Sequence, residues 1–270
     1  MPPQPRTVPR ASAPPAQRAT LERLRARLAR LEAVGRSSGS VLPLGLPGID
    51  RALPGGGLAR GCLHELCGAP DPGAALGFAT ALLGRLMADG GHVAWIGPRN
   101  ELFAPGLAEL GVAPERLIVV RARARNARLW ALEEALRNPG LAAALAEVDQ
   151  LTLTHSRRLQ LAAETKGVTA LLLRPSGAGA MPSAATTRWR IEAAPSAMAP
   201  GEAPSRTAGR AFGPPYWRVS LLRSRGGRTG TWQVAWRKEG WHEIADPLAV
   251  AAEPGDRSAA LSGPARRARA

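Results

Sequence analysis

Apolar residues recur along this chain in two alternating periods. Leu21, Leu24, Leu28 and Leu31 fall on one helical stripe, so residues 20–35 are predicted to form an amphipathic helix that Thr20 caps and Gly35 ends. The apolar run at 62–68 reads as a strand, and 76–89 carries the spacing of a helix. A buried strand follows at 91–96, then a helix at 107–112, a strand at 117–120 and a further strand at 170–173. This alternation predicts an α/β fold with a largely parallel central sheet flanked by helices. Towards the end of the chain, Trp232 and Trp236 share the parity of one strand face.

Between the first of these strands and the helix after it, Gly68 and Gly73 keep the spacing of the phosphate loop G-x-x-x-x-G-K-[ST]. Ala74 and Ala75, however, stand where the lysine and the hydroxyl residue belong. In a working loop the ammonium reaches the outer phosphates and the hydroxyl holds magnesium, because the charge of a bound triphosphate has to be neutralised. Two methyl groups do neither. In a chain with 30 glycines the same spacing also suits an ordinary turn. The backbone N–H groups of 68–73 still offer a cradle for a phosphate, without a side-chain cation to hold it.

The surroundings of the loop carry a resemblance. Residues 44–61, LGLPGIDRALPGGGLARG, resemble the glycine-rich segment that leads into a RecA-type ATPase core, and the likeness runs from about residue 41 to residue 236. Within that superfamily, SRRLQLAAE at 156–164 and YWRVSLLRSRGGR at 216–228 are similar to a helix and a hairpin of the ImuA-like group, which is related to RecA and to SulA. Where RecA-like recombinases carry a water-activating acid after a core strand, this chain has Arg99. Glu147 and Asp149 are the residues nearest the magnesium-supporting aspartate, with no β-branched run before them. Arg174 stands at the glutamine that senses the terminal phosphate. The resemblance therefore implies a RecA-like domain that does not hydrolyse ATP and uses neither cofactor nor metal.

The resemblance implies a role as well. ImuA-like proteins are accessories of damage-induced (SOS), error-prone translesion DNA synthesis. They act beside ImuB, a catalytically silent Y-family polymerase relative, together with RecA and an error-prone C-family DNA polymerase. Two other readings stay open: a SulA-like inhibitor of cell division that binds the ring protein FtsZ, and a recombinase-like ATPase with atypical residues.

Composition adds an anionic partner to this picture. Lys+Arg number 36 against 21 Asp+Glu, a net charge of +15, which favours DNA or an acidic protein face. Most of the basic residues are arginines in an Ala-, Gly- and Pro-rich chain, the mix a GC-rich genome encodes, so clusters matter more than the total. Arg121, Arg123 and Arg125 alternate at a strand exit, Arg157 and Arg158 sit in the ImuA-like helix, and Arg223, Arg225 and Arg228 surround the hairpin turn. The stretches at 175–183 and 194–215 are rich in Gly, Pro, Ser and Ala, where the resembling recombinases hold single-stranded DNA in loops. Trp189, Trp217, Trp232, Trp236 and Trp241 either stack bases or pack a β-rich edge, and strand parity favours packing.

Cys62 and Cys67 share one predicted strand and read as buried, reduced thiols. His64, His92, His155 and His242 have no metal-site spacing. No apolar stretch reaches membrane-spanning length and no secretory signal is present, so a cytoplasmic protein without membrane contact is expected. The expected organisation is a disordered N-terminus (1–19), the leucine-striped helix (20–35), one RecA-like domain (41–247) and a disordered basic tail (248–270). The stripe is a candidate contact for a partner, for a second copy or for the chain's own core.

Overall fold

A computed structural model describes residues 40–68, 72–99, 102–175, 181–195, 215–237 and 240–244. The segment 1–19, the leucine-striped helix and the basic tail lie outside these residues, as do most of 175–183 and 194–215. The described residues begin with a two-stranded antiparallel pair, β1 (Val41–Leu42) and β2 (Leu58–Ala59), enclosing the short helix α1 (Pro47–Ala52). Then follow β3 (Leu63–Gly68), α2 (Pro72–Leu86), β4 (His92–Gly97), α3 (Ala104–Glu109), β5 (Leu117–Arg121) and α4 (Arg125–Leu136). The rest comprises β6 (Leu141–Glu147), α5 (Leu153–Lys166), β7 (Thr169–Arg174), β8 (Thr187–Ala193), β9 (Tyr216–Ser224), β10 (Gly230–Arg237) and β11 (Gly240–Ile244).

Nine strands form one sheet in the order β11-β10-β9-β8-β3-β7-β6-β4-β5. All pairs from β8 to β5 are parallel, and β9, β10 and β11 are added antiparallel at the other edge. The expected mixed α/β architecture with a largely parallel sheet is therefore present. β3 lies near the middle and is buried at every residue, as its continuous apolar run requires of a strand covered on both faces. One face packs on α2 through Phe78, Leu82, Trp95, Leu145 and Leu171; the other packs on α4 and α5 through Leu129, Leu132, Leu159, Ala144 and Leu172.

Several boundaries differ from the sequence expectation for local reasons. Helix α2 starts at Pro72, not residue 76, because a proline is well suited to the first helical turn, where its missing N–H costs nothing. Helix α3 spans 104–109 instead of 107–112, with Pro105 near its start and Gly111 at φ 86° just past its end. Glycine is needed where α2 crosses the turn before β5: a Cβ on Gly84 would lie 2.6 Å from the Leu110 carbonyl oxygen. The strand β6, Leu-Ala-Ala-Ala-Leu-Ala-Glu, is one that the apolar pattern did not predict. Alanine favours helix and the segment lacks β-branched residues, yet pairing with both β4 and β7 holds it extended.

The tryptophans pack the antiparallel edge. Trp189, Trp217 and Trp241 are buried, Trp232 and Trp236 pack partly buried against the same core, and Phe78 meets Trp241 edge-on at 4.5 Å between ring centroids. The glycine-rich lead-in closes on this edge too. The Asp50 carboxylate accepts from the N–H groups of Leu44 (2.8 Å) and Gly45 (3.0 Å), and Glu243 of β11 accepts from Gly48 at 2.7 Å. These bonds clasp α1 to the last strand.

Candidate functional site

In an open α/β sheet, the crevice beyond the carboxyl ends of the parallel strands is the place for a ligand. Here the ends of β4, β6 and β7 and the start of α2 enclose about 280 Å³, lined among others by Pro98, Arg128, Glu147, Asp149 and Arg174. Gly68 is the last residue of β3, and Gly73, Ala74 and Ala75 lie in the first turn of α2. Ala75 is fully buried and Ala74 nearly so, both within the core beneath the helix. Where the phosphate-loop pattern places two polar side chains, this helix contributes apolar packing. Arg99 is exposed in the bend after β4.

Glu147 closes β6, so an acidic residue ends a buried strand here although no β-branched run precedes it. Its Oε1 accepts from Trp95 Nε1 at 3.3 Å, and a Cβ on Gly97 would lie 2.6 Å from that oxygen. Arg128 of α4 is buried and ties the strand ends together. Nε donates to the Glu147 carbonyl (2.7 Å), Nη1 donates to the carbonyls of Arg123 (2.6 Å) and Ala122 (3.3 Å), and Nη2 lies 3.5 Å from Asp149 Oδ1. Its guanidinium thus serves the backbone of the crevice wall.

Arg174, at the end of β7, has a side chain only 1% exposed; Nη1 is 3.4 Å from Glu65 Oε1, and Nε has no partner. Glu65 lies in the middle of β3, fully buried, and its other oxygen accepts from Arg188 Nε at 2.6 Å. Arg188 also donates to the Met181 carbonyl at 2.8 Å. Two arginines and one carboxylate thus share a dry site on the α5 face of the sheet. Burial, followed by the Glu65 charge, raises the nearby Cys67 thiol above its ordinary value; Cys62 and Cys67 are both buried and free.

One residue along, His64 points to the opposite face. Its Nε2–H donates to the Ala59 carbonyl (2.8 Å) and its Nδ1 accepts from the Thr187 hydroxyl (2.7 Å), which in turn accepts from Trp189 Nε1 (2.6 Å). Burial lowers its pKa from 6.5 to about 4, so the ring is neutral. Sequence spacing pointed to neither polar group of β3, because their side-chain partners Thr187, Arg174 and Arg188 lie more than a hundred residues away.

The arginine clusters do not form one surface. Arg121 ends β5 and is exposed, Arg123 is exposed in the following turn, and Arg125 opens α4, donating to Gln150 Oε1 at 2.9 Å. The strand alternation expected across these three stops at Arg121. Arg157 is exposed on α5, and Arg158 bridges to Glu133 at 2.7 Å. Because β9 runs antiparallel, Arg223, Arg225 and Arg228 lie at the opposite end of the sheet from Arg121. Arg223 donates to the Ser183 carbonyl (2.7 Å) and Arg225 to that of Ala184 (3.0 Å), whereas Arg228 is exposed. Among the described residues no helix is long and apolar enough to cross a membrane.

No family model matches the chain. Two proteins from different strains of Caulobacter vibrioides, each named Protein ImuA, are 43% identical to it over 250 residues, covering 84% of this chain and 99% of each relative. Identity at that level over nearly the whole of both relatives shows the family: this chain belongs to the ImuA family.

Proposed function

We propose that this chain is a non-catalytic accessory protein of damage-induced, error-prone translesion DNA synthesis, built on a RecA-like core. The observation that carries the non-catalytic part is the start of α2, where Ala74 and Ala75 are packed into the core instead of presenting a lysine and a hydroxyl to a phosphate. The RecA-like reading is supported by a strand, loop and helix at 63–86 that keep the order of a phosphate-loop unit, with the strand near the centre of the sheet. Membership of the ImuA family supports the repair role, with an ImuB-type polymerase relative, RecA, an error-prone C-family polymerase and DNA as proposed partners. The protein acts in the cytoplasm, and its contribution is to hold partners together, since linked contacts raise their local concentration without any chemistry.

Two measurements test this reading. The purified protein, with and without single-stranded DNA, is expected to release no phosphate from ATP above background, and Ala74→Lys with Ala75→Thr is expected not to create turnover. Co-purification with ImuB, RecA and FtsZ offered together, with nuclease added, is expected to capture ImuB or RecA. Capture of FtsZ alone would overturn the repair role in favour of the division inhibitor, and steady ATP turnover would overturn the non-catalytic part.

A further inference from the structure

Helices α4 and α5 pack on β3, β4, β6 and β7, and among the described residues the same side of β8, β9 and β10 is open to solvent. Strand alternation makes the two sides of these three strands differ in kind. Trp189, Ile191, Val219 and Val234 point into the core on the α2 side. Their neighbours form two polar rows across the other side, Arg190, Ser220 and Thr231 in one and Glu192, Arg218 and Gln233 in the next. Arg190, Arg218 and Thr231 are exposed and the other three half-buried. Arg190 and Arg218 stand on the diagonal of neighbouring strands, about 7–8 Å apart. Neither has an ion pair among the described residues, although Glu192 lies opposite Arg218. Arg223 extends the stripe at one end, and Arg237, whose Nη2 donates to the Tyr216 hydroxyl at 3.4 Å, extends it at the other. Against these guanidiniums the three strands hold one carboxylate, Glu192.

Charge decides what such a face attracts. The occupant is not the chain itself: the longer stretches outside the described residues all carry more arginines than carboxylates, eight against two in 1–39, two against one in 196–214 and four against three in 245–270. A second copy, at +15, is repelled as well. An acidic protein surface would have the right sign. Protein interfaces, however, bury an apolar centre from which charge is depleted, whereas interfaces with DNA are polar and strongly positive. Here the centre is two free guanidiniums among hydroxyl and amide groups, and Leu222, 38% exposed beside the β8–β9 irregularity, is the one large apolar side chain that these strands leave exposed. The tryptophans of the three strands lie on the α2 side, so bases find no stacking platform. What the face offers is a set of donors for phosphates.

We infer that the open face of β8, β9 and β10 binds the phosphodiester backbone of DNA, with Arg190 and Arg218 as its principal phosphate contacts. Ser220 and Thr231 share one hydrogen bond of 2.9 Å, which leaves a second O–H to donate, and the Gln233 amide lies in the next row. The inference rests on the DNA contact proposed above and gives it a surface. Because no base edge is read, the affinity depends steeply on salt and little on sequence.

The test titrates the full-length protein into two labelled DNAs of mixed sequence, a single strand and the matching duplex, and reads anisotropy at several salt concentrations. Arg190→Gln/Arg218→Gln is compared with Arg121→Gln/Arg123→Gln, which removes the same two charges from exposed arginines at the opposite edge of the sheet. Glutamine avoids setting a second carboxylate opposite Glu192, and all four residues are exposed, so both variants should melt close to the wild type. The face variant is expected to bind roughly tenfold more weakly or worse, with a slope of log K against log salt shallower by about 1–2. The edge variant should stay within about threefold of the wild type. Equal losses would mean that total charge and not this face holds the DNA, and a larger loss in the edge variant would move the contact to the end of β5. If the wild type binds neither DNA, the inference fails together with the DNA part of the proposed function, whereas nuclease-resistant capture of ImuB or RecA is read separately. Binding of poly-L-glutamate in place of DNA, lost in the face variant, would overturn the inference and assign the face to an acidic protein.

Discussion

Neighbouring residues of β3 bury polar side chains on opposite faces of the sheet in opposite ways. His64 is neutral, its two ring nitrogens are both satisfied, and its chain of bonds runs from Trp189 through Thr187 to Ala59 without an orphan. The Glu65 carboxylate faces two arginines, at 3.4 Å and 2.6 Å, and beside it Arg174 Nε is left without a partner in the interior. Burial penalises charge, and the two sites meet that penalty differently. The histidine escapes the penalty by staying neutral, whereas the carboxylate is offset by ion pairing with two guanidiniums. The comparison separates polar burial that stabilises from polar burial that is only made tolerable.

The largest effect is expected at the anion between the two cations. Glu65→Ala takes the shared carboxylate away from Arg174 and Arg188, and removing one partner of a buried pair typically costs about 3–5 kcal/mol. Chemical denaturation should show a loss in that range, or no folded protein at all. A loss below about 1 kcal/mol would mean that water reaches the site and the triad is not dry.

The histidine side of the comparison is sharpened by acid. Its pKa is about 4 in the folded chain against an ordinary 6.5 in the unfolded one, so between these values the unfolded state binds more protons. The stabilisation is complete above pH 6.5 and is lost as pH falls towards 4, at about 1.4 kcal/mol per pH unit and about 3 kcal/mol in all. His64→Gln should remove that portion of the slope. The difference between the two stability–pH curves measures it, and parallel curves would show that His64 is not held neutral.

A smaller loss is expected at Thr187, the relay of the neutral chain. Thr187→Val keeps the shape of the side chain but strands Trp189 Nε1 and His64 Nδ1, for about 1–3 kcal/mol. A neutral result would mean that the two groups find other partners, and the distinction between a satisfied and an unsatisfied face would weaken.

Neither polar cluster was legible in the sequence, although much of the scaffold around them was. The strands at 62–68, 91–96 and 170–173 announce themselves because a doubly covered strand needs a mostly apolar run, and 117–120 carries such a run although β5 is a half-exposed edge strand. The run at 62–68 hides His64 and Glu65, each a single polar residue inside it. Strand β6 was missed because its alanines carry no strand preference of their own; their small side chains suit a strand covered by helices, a tertiary property. Helix α4 did leave a signal, since Arg128, Leu129, Leu132 and Leu136 recur with its period, but the arginines before it drew the reading towards a basic strand exit. The arginine clusters show the same limit from the other side: sequence proximity grouped them locally, and only the antiparallel turn of β9 reveals that two groups lie at opposite ends of the sheet.

The smallest effect is the most informative about the triad. Arg174 contributes a long 3.4 Å contact to Glu65 and an unpaired Nε, whereas Arg188 contributes a 2.6 Å bond to the same carboxylate. Arg174→Met removes a charge that is poorly compensated, keeps an unbranched apolar side chain in its place, and leaves Glu65 and Arg188 as a neutral pair. Replacing buried ionic groups by apolar ones of similar volume is often neutral or stabilising. The expected stability is therefore within about 1 kcal/mol of the wild type, on either side, while Arg188→Met, which takes away the short bond, should fall clearly below it. If Arg174→Met instead proves as costly as Arg188→Met, the carboxylate is shared equally in solution. The charged face of β3 would then be as well satisfied as the neutral one.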